Sequence, residues 1–258
     1  MTGVRQLTRE DIFKELDLWP VWRRRSANVV ADQATTEADI EPNVPEREGQ
    51  PKPPMAKAEK TPDPNTLTTW DALREAVNTC TRCKLHSTRT QGVLGVGDQH
   101  ADWLVIGEAP GAEEDAQGEP FVGQAGRLLD AMLAAISLQR GNNVYIANVL
   151  KSRPPGNRNP EPDEVAACLP YLLQQIELLQ PRIILALGRF AAQNLLDTKD
   201  SIANLRGRVH QFQGVPLIVT YHPAYLLRTL TDKARAWEDL CLARKTFLSL
   251  QSDPLRKP

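Results

Sequence analysis

The stretch DWLVIGEAPGAEEDAQGEPFVGQAG, residues 102–126, decides the fold. It opens as a short apolar run without alternation, and such a run suits a strand buried on both faces. From residue 107 to 126 it holds five glycines and two prolines, and then it enters a helical pattern. Three further runs read as strands of the same kind: NVYIANVL (143–150), RIILALG (182–188) and PLIVTY (216–221). Helical patterns cover about 124–138, 162–180, 189–196 and 232–250, and one more, containing TWDALREAVNT, covers 67–79. Strands alternating with helices predict an α/β fold, a three-layer αβα arrangement with a central, mostly parallel four-stranded sheet. In such sheets ligands bind in the crevice at the carboxyl ends of the strands. The loops after Gly107, Asn148 and Tyr221 are therefore the ones to read for function.

The first of these loops brings backbone amides within reach of a ligand, because glycine permits close approach. Glu108, Glu113, Glu114 and Asp115 make it acidic and no Walker lysine is present, so a phosphate loop fits poorly. Phe121, beside the glycines, either stacks on a planar base or belongs to the core. The second loop is NVLKSRPPGNRNPEP, 148–162. Asn148 is polar within an apolar strand, and a buried amide needs partners. It either bridges strands or reads the donor–acceptor edge of an imide such as uracil. Lys151, Arg153 and Arg158 give this loop local positive charge that either meets phosphates or faces solvent. The third loop is TYHPAYLLR, 220–228. His222 follows a buried strand at the end facing the same crevice, which favours a catalytic role over a purely structural one. Arg206, Arg208 and Arg228 extend a candidate phosphate-contacting rim.

The 258 residues divide into a short amphipathic segment (1–25), a proline-rich and charged stretch expected to be a disordered arm (26–65), a folded domain (66–252) and a flexible tail (253–258). Leu7, Ile12, Leu16, Leu18, Trp19 and Trp22 form the apolar side of the first segment, and Arg23, Arg24 and Arg25 close it. Residues 4–25 are either a loosely attached terminal helix or a tethered peptide for a protein partner. Basic and acidic residues nearly cancel, 31 against 32, so any DNA-binding face must come from local clustering. There is no apolar run long enough for a membrane span and no apolar signal core, which predicts a cytoplasmic protein without membrane attachment. Four cysteines in a chain of this length do not suggest a secreted disulfide scaffold; the close pair Cys80 and Cys83 points to a metal site or redox motif.

Taken in order, GEAPGAEED (107–115), EPFVGQAGRLLD (119–130), YIANVLKSRPPGNR (145–158), LRGRV (205–209) and HPAYLLR (222–228) resemble the family 4, iron–sulfur uracil-DNA glycosylases. The resemblance spans about residues 76–247 and implies a monofunctional enzyme of base-excision repair. Such an enzyme flips uracil out of DNA, hydrolyses its N-glycosidic bond and leaves an abasic site. The resemblance implies that Gly107, Glu108 and Ala109 line the pocket, Phe121 stacks on the base, Asn148 reads its imide edge, His222 donates to O2 and Glu114 crowds out a thymine methyl. Glu108, Ala109 and His222 stand at the catalytic positions, and Ala109 replaces the water-orienting aspartate of the best-known uracil glycosylases. Lys151, Arg153, Asn157, Arg158, Arg206 and Arg228 are the implied DNA contacts of a monomeric enzyme. Cys80, Cys83 and Cys168 match three ligands of a 4Fe–4S cluster, but Ser152 stands where the family has its fourth cysteine, so the cluster is expected to be incomplete or labile. Cys241 has no place in the pattern. Two rival functions remain: a glycosylase for another base such as hypoxanthine or xanthine, and a catalytically weak DNA- or partner-binding protein.

Overall fold

A computed structural model describes residues 63–251. The N-terminal amphipathic segment, most of the proline-rich stretch and the C-terminal tail lie outside the described residues. The last residues of that stretch are ordered: Pro64–Thr66 form a 3-10 turn with Pro64 buried.

The four expected strands are present, with an edge strand added on either side. In chain order they are β1 (Val96–Gly97), β2 (Trp103–Gly107), β3 (Val144–Asn148), β4 (Ile183–Leu187), β5 (Val209–Phe212) and β6 (Val215–Thr220). The spatial order is β1-β3-β2-β4-β6-β5. The inner four are parallel, and the two outer pairings are antiparallel. Every residue of β2, β3 and β4 is buried, as unalternating strands covered on both faces require. The edge strands escaped the sequence reading for different reasons. β1 is only two residues long. β5 has alternating exposure and reads VHQF, but the signal that follows it, Gln213-Gly214, was there to find. Both residues have positive φ (48° and 81°), as a tight two-residue hairpin turn demands.

Eight α-helices complete the described residues: α1 (Trp70–Asn78), α2 (Ala112–Gln117), α3 (Gln124–Ala135), α4 (Pro162–Leu179), α5 (Gly188–Leu196), α6 (Ile202–Leu205), α7 (Pro223–Leu226) and α8 (Lys233–Gln251). The short helices α2, α6 and α7 were not anticipated. Thr69 starts α1, accepting from the Ala72 amide at 3.2 Å, a cap worth about 1 kcal/mol. One face of the sheet packs Leu104, Ile106, Ala147 and Ile184 against α4 and α5 through Leu172, Ile176, Ala191 and Leu195. The other packs Trp103, Val105, Ile146 and Leu185 against α3 and α8 through Leu129, Leu133, Leu240 and Phe247. These two cores make the three layers. The chain steps from β2 to β3 on one side, then crosses back to β4 on the other side of β2. The strand order therefore switches between β2 and β4, and the functional loops gather around that point.

Candidate active site

At the carboxyl end of the sheet Gly107 and Asn148 lie side by side in the parallel pairing of β2 and β3. The Asn148 side chain is 2% exposed, and its Oδ1 has no hydrogen-bond partner among the described residues. Of the buried side-chain atoms left in that state among the described residues, it alone borders the cleft at the carboxyl ends of the strands. Glycine at 107 is a steric requirement: a β-carbon there would stand 2.4 Å from Asn148 Oδ1 and 2.6 Å from Phe121 Cζ. The Phe121 ring, 6% exposed, lies 5.5 Å from the His222 ring at an interplanar angle of 31°. Gly188, the first residue of α5, has a φ of 87°, and a β-carbon on it would meet His222 Cβ at 2.9 Å. Three loops and the start of α5 thus close on one another wherever a side chain has been omitted.

His222 caps α7, its Nδ1 accepting from the Ala224 amide at 3.2 Å. That bond assigns the proton to Nε2, which leaves Nε2–H as the donor. Burial, aided by the nearby Arg228 charge and opposed by Glu114, pulls the imidazole down to about 4. The ring is therefore neutral at physiological pH. Phe121, Asn148 and His222, together with Glu108, Ala109 and Glu114, line one cleft of about 460 Å3. Burial raises the Glu108 carboxyl, with the Arg189 charge pulling against it. Ala109 offers only backbone. Glu114 pins the glycine-rich loop, its carboxylate accepting from the amides of Gly111 (3.0 Å), Val122 (3.1 Å) and Gly123 (3.4 Å).

Residues 94–241 match the family described as the Uracil DNA glycosylase superfamily. The chain belongs to the uracil-DNA glycosylase superfamily. It is 48% identical over 165 residues to a type-4 uracil-DNA glycosylase of Archaeoglobus fulgidus, an alignment covering 61% of this chain and 82% of the relative. It is 44% identical over 167 residues to the type-4 enzyme of Thermotoga maritima (64% and 86%), and 39% identical over 193 residues to that of Saccharolobus solfataricus (72% and 88%).

In this superfamily member the expected DNA contacts fall into two groups. Arg158, Asn157 and Arg228 border the cleft, and Arg153 lies in the same loop with its Nε on Asn157 Oδ1 at 2.8 Å. The Arg158 guanidinium is already gripped by both oxygens of Glu164, at 2.9 and 2.5 Å. Lys151 and Arg206 are corrections. Lys151 is 1% exposed, and its Nζ donates to the Asn148 carbonyl (2.7 Å) and to Gln175 Oε1 (2.5 Å), so it has no path to a phosphate. Burial lowers its ammonium to about 7. Arg206 is held by Asp239 (3.0 Å), Glu238 (3.1 Å) and the Arg235 carbonyl (2.5 Å), with its guanidinium 5.6 Å from the Tyr221 ring centre. It braces α8 to the sheet. Tyr225, missed in the sequence, borders the cleft three residues after His222. Its place one helical turn beyond the histidine was the available signal.

The cysteine site of this glycosylase superfamily member departs from the family pattern in composition, with Ser152 at the fourth position. The neighbouring Cys168 is the main cause that lowers the Cys83 thiol to about 6, while Cys83 and burial raise Cys168. Cys80 packs in one apolar cluster with Tyr171, whose hydroxyl donates to the Ala76 carbonyl at 3.4 Å. Ser152 is buried, and its Oγ accepts from Arg89 Nη1 at 2.8 Å. The other end of that guanidinium donates to the carbonyls of Asn78 (2.6 Å) and Cys80 (3.1 Å). Among the described residues no three metal-ligating side chains are grouped to hold an ion. The donor set does not fit a four-thiolate cluster, since the fourth position offers a hydroxyl that is already bonded. Cys241 is exposed on α8, apart from the other three.

Proposed function

We propose that this chain excises uracil from DNA, hydrolysing the N-glycosidic bond of deoxyuridine in base-excision repair. The observation that carries the reading is the partnerless Asn148 Oδ1, held beside an aromatic face and a neutral imidazole donor. A buried acceptor without a partner costs about 1–3 kcal/mol, and an imide N3–H relieves that cost. The Asn148 amide then meets uracil at N3–H and O4, Phe121 stacks on the flipped ring, and His222 Nε2–H donates to O2. Backbone groups of Glu108 and Ala109 line the pocket, Gly107 leaves room beside them for Asn148 and Phe121, and Glu114 stands against C5, where thymine carries its methyl group.

Cleavage of N1–C1′ leaves its electron pair on uracil and positive character on the sugar. A donor aimed at O2 stabilises the departing anion more than the bound base, and a preorganised donor of this kind is worth about 2.7–4 kcal/mol. With alanine at 109 the chain brings no carboxylate to orient water from that position. Water therefore adds late, to a cation-like C1′, and loses its proton to solvent. Arg153, Asn157, Arg158 and Arg228 contact the strand that carries the flipped nucleotide. We place this activity in the cytoplasm of the cell, in a monomer, with residues 4–25 as the segment that recruits a protein partner. No helix among the described residues is long and apolar enough to cross a membrane. On cofactor content, the same reading leaves Cys80, Cys83 and Cys168 as the thiolates of an incomplete or labile cluster, with Ser152 standing where a fourth would be and already bonded to Arg89, outside the chemistry of cleavage.

The test is strand cleavage after alkali on oligonucleotides carrying uracil, hypoxanthine or xanthine, single- and double-stranded. Abasic sites at uracil are expected. Abasic sites confined to another base, or binding without any product, would overturn the reading in favour of one of its two rivals.

A further inference from the structure

Two residues bordering the cleft, Phe121 and Asn157, have left-handed backbones, with φ of 57° and 55°. Asparagine tolerates that region; a phenylalanine there is disfavoured by its β-carbon and needs outside support. Part of the support is permissive. Gly107 leaves room for the ring, and Gly126 leaves room for the carbonyl, which a β-carbon at 126 would approach to 1.8 Å. Neither glycine pulls the backbone into place.

Arg140 does pull. It lies in the turn between α3 and β3, where Gln139 and Asn142 form an isolated bridge. Its Nη1 donates to the Pro120 carbonyl at 3.0 Å and its Nη2 to the Phe121 carbonyl at 2.9 Å, while Nε donates to Asp130 on α3 at 2.9 Å. The two carbonyls belong to the peptide units on either side of the Phe121 α-carbon, so their relative direction is set by the Phe121 torsions. In extended backbone successive carbonyls point to opposite sides. A rigid, planar fork that binds both from one side excludes that conformation. Asp130 aims the fork and balances its charge.

On the reading that Phe121 stacks on the flipped base, we propose that Arg140 is a positioning residue for base recognition. It never touches DNA; it fixes the backbone torsion that lays the Phe121 ring over the pocket. The cleft residues named in the family resemblance lie at the strand ends and in the segments that directly follow them, whereas Arg140 acts from the turn behind them.

A double-mutant cycle on single-turnover uracil excision tests this. Arg140→Met is expected to slow excision about tenfold, within the range for residues acting through one another. In a Phe121→Ala background the same change is expected to add nothing, because the ring it positions is gone. In an Asn148→Ala background it is expected to multiply through in full. Arg140→Lys, which keeps the charge but lacks the fork, should fall between wild type and Arg140→Met, and it carries the cycle if Arg140→Met does not fold. Equal slowing in the wild-type and Phe121→Ala backgrounds overturns the proposal, since Arg140 would then be general scaffold. So does an unchanged rate for Arg140→Met beside a slowed Phe121→Ala. If Phe121→Ala itself excises at the wild-type rate, the stacking reading fails, and Arg140 loses its role with it.

Discussion

The base pocket and the cysteine site meet the same loop, 148–158, at Asn148 and at Ser152, and they handle polar atoms in opposite ways. At the pocket end Asn148 Oδ1 is buried without a partner. A few residues on, the Ser152 hydroxyl is buried and satisfied, bonded to an arginine that also holds the end of α1. An unsatisfied buried acceptor is a standing cost to stability, and it persists where a ligand completes it. A satisfied serine in place of a metal ligand describes a site that completes itself. The pocket is built for something absent from the chain, whereas the serine corner is closed on its own terms. Lys151 lies between them, joining the Asn148 carbonyl to Gln175 on α4, so the loop is anchored whatever the cysteines hold.

The sharpest way to break this contrast is at His222. His222→Ala removes the Nε2–H donor and is expected to slow single-turnover excision about 10²- to 10³-fold, the usual loss for one such donor. Affinity for uracil-free DNA should hold, because the ring faces the base and not the strand. A rate equal to wild type in rapid-quench measurements takes His222 out of the mechanism.

Asn148→Ala should lower selectivity for uracil over cytosine by about 10- to 100-fold, as unpairing one polar edge predicts. Its second effect sharpens the comparison: the melting temperature should stay level or rise, because the partnerless acceptor is gone. A marked fall in melting temperature would assign Asn148 a structural bridge instead. At the cysteine site, Ser152→Cys supplies the fourth thiolate and frees Arg89. Iron per chain and visible absorbance after anaerobic purification should rise above wild type; equal iron in both would mean that residue 152 does not limit cluster assembly.

The three layers and the four inner strands were legible because β2, β3 and β4 are apolar but for Asn148 at the end of β3, a pattern with few other uses. The edge strands were harder to see, since an edge needs no apolar signature and β5 alternates toward solvent. Gly107, Asn148 and His222 were findable as odd residues at strand ends, and Phe121 as an aromatic among glycines. Their mutual distances were not, because these depend on missing β-carbons at Gly107, Gly126 and Gly188 that only a folded backbone reveals. The cations misled most. Lys151 and Arg206 read as surface charge in a loop, yet each is enclosed by partners far away in sequence, Gln175 in one case and Asp239 in the other. Charge announces itself in a sequence, but its burial depends on contacts that the sequence does not spell out.

The smallest expected effect is a flat line, and it tests the pocket most narrowly. An ordinary histidine titrates near 6.5, whereas burial carries His222 down to about 4. Above that value the ring is neutral, with Nδ1 accepting from Ala224 and Nε2–H free to donate. Protonating Nδ1 would set a second donor against the Ala224 amide and break the cap on α7. Between the two pKa values the unfolded chain binds the proton and the folded chain does not. Stability linked to this residue is therefore lost as pH falls from 6.5 toward 4 and is unaffected above 6.5. The single-turnover rate should accordingly run level through 6.5, with any acid limb appearing only toward 4. An inflection near 6.5 that vanishes in His222→Gln would mean that the imidazole is solvated and works as a cation, contrary to the neutral donor that the Ala224 bond requires.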